Sequence, residues 1–266
     1  MVKVDFRMIF TLTFRHICLA TSSLPLIALL ICVLLCLFTN SCIKTHCTDT
    51  NILPSLSAAV GDDQPQKTIW TLSVLISSAW RLLILPNHYI NLLNLFSSFT
   101  RQGRLYLCNS LCLSNFIEIV SLNMLSIVSS SDDYIRHRNY FGIFVLSSVV
   151  YMIIDVYISQ LINKLCQYSP WSKILKKKIY VMATYVTCLL IIMLCHYIHM
   201  RFCPPYTYTV FAVFEYVAII SNVTYHYTTS QIYEDISIKK IISYFSSGRT
   251  IPFVDMKLEL PLLEAK

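Results

Sequence analysis

A histidine with a carboxylate beside it can take a proton from a hydroxyl, and this chain places such sets in short polar segments between apolar runs. His46 and Cys47 precede Asp62 and Asp63, and Ser129-Ser130-Ser131-Asp132-Asp133 precedes His137. The chemistry these residues suit is general-base activation of a hydroxyl for acyl transfer, with His137 as base, Asp133 orienting it and His46 as runner-up. Serine and aspartate runs also suit helix caps and turns, so both roles stay open at this point. His196 and His199 approach a third polar segment. No Cys-x-x-Cys pair or His/Cys spacing reads as a metal site, no cofactor is indicated, and the acyl donor is left unspecified.

A second set lies inside the apolar runs, where an ionisable side chain is costly and pairs or lines a cavity. At 1.5 Å per residue, Arg81 lies ~18 Å, Glu118 ~15 Å and Glu215 ~14 Å from the ends of their runs, so Arg81 can meet either acid near the midplane. Asp155, at ~21 Å, is expected to face water at the far side. The trio Arg81, Glu118 and Glu215 has two readings, a buried ion pair fixing helix packing or a polar cavity for a lipid head group.

The elements that must carry these residues follow from composition. Of 266 residues, 56% are hydrophobic and 13% charged, about half the charge of a soluble domain. Four glycines and nine prolines favour long helices over short strands. Six runs approach the ~20 apolar residues that cross a bilayer: 17–38, 69–96, 105–128, 141–162, 179–200 and 208–228. The expected fold is an all-α polytopic bundle, with tails over 1–16 and 229–266. Arg81, Pro86, Asn87 and His88 interrupt the second run and blur its end. The first run is too long for a signal-peptide core and lacks a cleavage site, so it is read as a retained helix.

Fifteen lysines and arginines fall on the side of the termini and five on the other, with Arg81 between; the positive-inside rule puts both ends in the cytosol. The net charge of +7 thus reflects topology, and nothing in it suggests nucleic-acid binding, although Lys176 to Lys178 suit anionic head groups. Segments 39–67, 129–140 and 201–206 then face the lumen or exterior. Three of eleven cysteines lie there, and in that oxidising space Cys47 is expected to bridge Cys203, leaving Cys42 over; three free thiols is the other reading. The remaining cysteines read as small packing residues. The sequon at Asn222 is inside the sixth run, beyond reach of glycosylation.

Thr45-His46-Cys47, Asn51 to Ser55, Ser57 to Gly61 and Pro65 to Trp70 resemble the first luminal loop of the Frag/DRAM/Sfk family. The resemblance continues in Asn87-His88-Tyr89, Val128 to Asp133, His137, Ser147-Ser148, Cys203, Tyr208 to Ala212, Glu215-Tyr216, Asn222 and His226, and spans about residues 15–228 in order. The chain departs from the family between Arg81 and Asn87 and after Tyr233. The resemblance implies a Golgi membrane protein, present also in the endoplasmic reticulum, of GPI-anchor lipid remodelling. Its partners would be GPI-anchored proteins or lyso-GPI and membrane lipids, and its reaction the return of a saturated, stearoyl-type chain to the sn-2 position. It carries over no catalytic residues. A scaffold that presents lyso-GPI to a separate acyltransferase is the alternative.

Overall fold

The computed structural model describes residues 13–39, 42, 47, 51–61, 63–96, 100–165, 169–234, 236 and 238–252. Six of its helices are long and apolar enough to cross a membrane: α1 (Phe14–Thr39), α3 (Gln66–Leu95), α4 (Arg101–Ile127), α5 (Tyr134–Leu165), α6 (Ser169–Phe202) and α7 (Thr207–Ser230). Two short helices join them, α2 (Leu56–Gly61) and α8 (Ile238–Ser246). Each long helix packs on its neighbours in the chain, and α7 returns to α1, closing a ring. Short connections after α3 make this up-and-down order the simplest solution for helices whose backbone groups must be satisfied within each helix. Large apolar side chains such as Leu30, Leu146 and Met193 point outward, as expected where the surrounding solvent is hydrocarbon.

The helices are longer than the apolar runs because polar first and last turns join them. The second span is continuous, although Pro86 removes one intrahelical hydrogen bond. Asn87, His88 and Asn91, which blur the pattern of that run, are buried; they hold the C-terminal segment rather than face water. Asn87 and Asn91 donate to the carbonyl of Ile251, at 3.3 and 2.6 Å, and Asn87 accepts from its amide at 2.6 Å. The Phe14 amide donates to Ile236 at 2.8 Å. The segment after α7, read as a tail, is thus tied to α1 at Ile236 and to α3 at Ile251.

At the opposite end, α2 packs against α1, α3 and α7. Ser55 caps it by accepting from the Ala58 amide at 3.2 Å. A Cβ on Gly61 would come within 3.1 Å of the Ser129 side chain, so glycine lets this helix abut the α4–α5 turn. Cys47 is joined to Cys203, with Cα atoms 5.8 Å apart. Cys42, expected to be left over, is joined to Cys36 at the end of α1; Cys36 is therefore not a mere packing thiol.

Candidate active site

The residues of the α4–α5 turn take the capping role that their types allow. Asp133 caps α5: it accepts from the Arg136 amide at 3.0 Å and pairs with the Arg136 guanidinium at 3.1 Å. The expected Asp133–His137 pairing is therefore not made, because a cap residue's carboxylate is turned to the helix's free amides. His137 donates its Nδ1–H to the carbonyl of Val128 at 2.7 Å, which fixes the tautomer and leaves Nε2 as acceptor. Asp132 pairs with Lys67; hydrogen bonds from Lys67 and then Ser129 hold its carboxyl below the usual carboxylate range. That pair is exposed and contributes little to stability. His46 and Asp62 lie outside the described residues. His199 packs at the Cys47–Cys203 bridge, its ring 5.0 Å from that of Tyr208.

The intramembrane trio separates. Arg81 meets Glu118, Nη2 to Oε1 3.1 Å, with Glu118 0% exposed. Glu215 lies elsewhere: its carboxylate accepts from the Leu56 amide at 2.8 Å, at the first turn of α2. Beside it, the Tyr216 hydroxyl donates to Pro54 at 2.6 Å. The α2 helix folds down against α7, so a residue counted as deep in the sixth run is spent on the first loop. A carboxylate at a helix N-terminus is favourable there.

His226 takes the place expected of Glu215, three turns further along α7. Its Nε2 is 2.7 Å from Glu118 Oε1 and 3.0 Å from Arg81 Nη2. Against a carboxylate oxygen that only accepts, His226 Nε2–H donates to Glu118 Oε1, and Arg81 Nη2 pairs with the same oxygen by charge. Asn222 adds a third donor at 3.3 Å while also donating to Ser148 at 2.8 Å, so the sequon asparagine is an interior residue. Arg81 further donates to Asn115 at 2.9 Å. Tyr151 stacks on the His226 ring, centroids 5.1 Å apart. With Nε2 bound to Glu118, Nδ1 of a neutral imidazole carries the lone pair. Glu118 is about nine residues, or ~14 Å, from the α2 end of its helix, near mid-membrane depth.

A crevice of about 70 Å³ opens beside this cluster. Arg81, Asn115 and His226 line it, Trp80, Ile84 and Leu85 give it an apolar wall, and His88 and Tyr233 line it toward α8. The arrangement provides a base oriented by a carboxylate and guanidinium hydrogens beside it, the parts that acyl transfer requires.

A second buried pair stands further along. Asp155 and Lys178 are 2.7 Å apart, 2% and 1% exposed. Asp155 accepts from Tyr225 at 2.8 Å, and Lys178 donates to Ser159 at 3.1 Å. Neither faces water, contrary to the depth argument for Asp155 and the assignment of Lys178 to a surface cluster. The sequence signal for both interior clusters was the polar stripe Asn222, Tyr225, His226, Thr229 on one face of α7. Its spacing of three and four residues is plain in the sixth run, and only Asn222 and His226 were singled out there, as points of resemblance.

The fold and cluster define a polytopic membrane protein with a polar interior and a lateral crevice. The family model described as the Frag1/DRAM/Sfk1/Cwh43P N-terminal domain matches residues 13–231, and the chain belongs to that family. It is 32% identical to a Caenorhabditis elegans protein named post-GPI attachment to proteins factor 2, covering 90% of this chain and 92% of that one. It is 33% identical to a Drosophila melanogaster protein of the same name, over 83% and 86%, and 33% identical to Xenopus tropicalis "Acyltransferase PGAP2", over 83% and 87%. No solved structure matches the chain.

Proposed function

We propose that this protein acts in GPI-anchor lipid remodelling as an acyltransferase, returning a saturated, stearoyl-type chain to the sn-2 hydroxyl of lyso-GPI in the Golgi membrane. The names of relatives matched over most of their length support the pathway. The observation that carries the reaction is the 2.7 Å contact of His226 with Glu118 beside a crevice. In this reading His226 Nδ1 takes the proton of the lyso-lipid hydroxyl, whose oxygen bonds to the carbonyl carbon of a fatty acyl ester or thioester. Arg81 stabilises the oxyanion formed. As the intermediate collapses, the bond to the donor's oxygen or sulfur breaks and the leaving group takes the proton from His226, which restores the base. Glu118 holds the ring in its tautomer and balances the imidazolium.

A second station for the base is His137, because the Val128 carbonyl leaves its Nε2 free at the loop end, where a luminal-leaflet hydroxyl lies. One experiment addresses both. Purified protein in lipid particles receives lyso-GPI and acyl donors, and two-chain product is measured for wild type, His226→Asn and His137→Asn. Product from wild type and His137→Asn but not from His226→Asn is the expected result. Loss in His137→Asn alone moves the base to the loop end, and no product from any form leaves the scaffold alternative.

A further inference from the structure

The crevice has a chemical character more specific than its shape. Its polar lining includes a guanidinium, an amide and an imidazole, and with a neutral imidazole the Arg81–Glu118–His226 cluster carries no net charge. A phosphate or free carboxylate would add an uncompensated negative charge at mid-membrane depth. The crevice is lined by the Arg81 guanidinium and the Asn115 amide, both of which carry N–H donors, so it suits a ligand that is neutral and accepts. The Trp80, Ile84 and Leu85 wall is apolar, as hydrocarbon requires. A volume of about 70 Å³, where one water needs ~10–15 Å³ of such space, has room for a carbonyl and its first carbons.

The direction of the crevice adds a second constraint. Cys18, Thr21 and Ser22 come from the first turns of α1, His88 from the latter part of α3, and Ser230 and Tyr233 from the end of α7 and just beyond. All lie toward the α8 end, away from α2 and the bridged loops. The α8 end is also where Arg101, Arg104, Lys173, Lys176 and Lys177 gather, the side that the charge bias assigns to the cytosol.

We propose that this crevice is the donor site: it receives the carbonyl end of a fatty acyl ester or thioester from the α8 side, with the Arg81 guanidinium and Asn115 donating to the carbonyl oxygen. The inference rests on the acyltransferase reading and deepens it, since donor and acceptor would reach His226 from opposite ends of the bundle. An ester in a diacyl phospholipid and a thioester in acyl-coenzyme A share this chemistry and differ only in what lies beyond the crevice mouth.

The test uses the full chain in lipid particles. Stearoyl chains carrying a diazirine near the carbonyl are supplied in one arm as phosphatidylcholine and in the other as the coenzyme A thioester, and crosslinked peptides are mapped. Label on Cys18, Trp80, Ile84 or Leu85 from one arm is expected and names the source. Competition by unlabelled donor should remove it at least 10-fold. Label confined to the α2 end, or none in the crevice from either arm, overturns the donor site even if two-chain product forms. Crevice label in protein that makes no product supports the site and defeats the catalytic reading instead. Ile84→Trp, which fills the crevice, should raise the donor KM about 10-fold with the lyso-GPI KM unchanged; equal effects on both count against the assignment.

Discussion

Two ion clusters lie in the interior of this bundle, and they differ in how completely their hydrogen-bonding groups are used. Asp155 and Lys178 are enclosed, and Tyr225 and Ser159 add to their own contact. Arg81, Glu118 and His226 are as close to one another, yet Arg81 Nε and Glu118 Oε2 are buried with no partner among the described residues, and a crevice is lined by Arg81 and His226. A saturated cluster ties helices together: Asp155 belongs to α5, Lys178 to α6 and Tyr225 to α7. An unsaturated one beside open space retains capacity for a ligand. Burial alone does not distinguish them, since Glu118 is the most enclosed acid among the described residues.

The comparison is open to direct attack. Removing one partner of the enclosed pair should have the largest effect on the protein itself. Lys178→Met strands Asp155 and is expected to cost about 3–5 kcal/mol, seen as a collapse of steady-state abundance. The double variant Asp155→Leu with Lys178→Met should recover abundance, because a buried pair exchanged for apolar groups of similar volume is often neutral. If the double variant keeps its fold and loses product, the enclosed pair is functional after all.

At the crevice the pattern should invert. His226→Asn keeps abundance near wild type and lowers acyl transfer by about 10²–10⁴, the usual contribution of a positioned base. Wild-type turnover with His226→Asn would remove the base from its proposed place. Glu118→Gln should reduce both quantities, since it leaves the Arg81 charge unbalanced and the imidazole unsupported.

Smaller effects belong to the α2 end. Reducing the Cys47–Cys203 bridge, which closes a separation of 156 residues, is worth on the order of 4–5 kcal/mol by chain entropy alone, an upper figure that native strain usually lowers. Its effect on thermal unfolding should therefore be of the same order as that of Lys178→Met at most. Reaction of both cysteines with a thiol reagent in unreduced protein would show that no bridge forms. Glu215→Gln gives up one charge-assisted bond to the Leu56 amide and should cost about 1 kcal/mol, with remodelling near normal. A severe loss of product with normal abundance would return Glu215 to the site.

Much of this molecule was written in the chain. Low charge and six apolar runs dictate a helical membrane bundle, because no other use of such residues satisfies the backbone in hydrocarbon. The charges inside those runs marked Arg81 and Glu118 for attention, since their cost is local and visible in one dimension. Which acid meets Arg81 was not legible. Depth counted along a run assumes straight passage between two surfaces, whereas α2 turns inward and captures Glu215 at its N-terminus, leaving His226 to close the cluster. Asp133 was similarly indistinguishable from a catalytic acid until the start of α5 claimed it as a cap. Side-chain type and spacing set the cost of each group in the membrane; only the packing of α2, α4 and α7 decided which groups would share it.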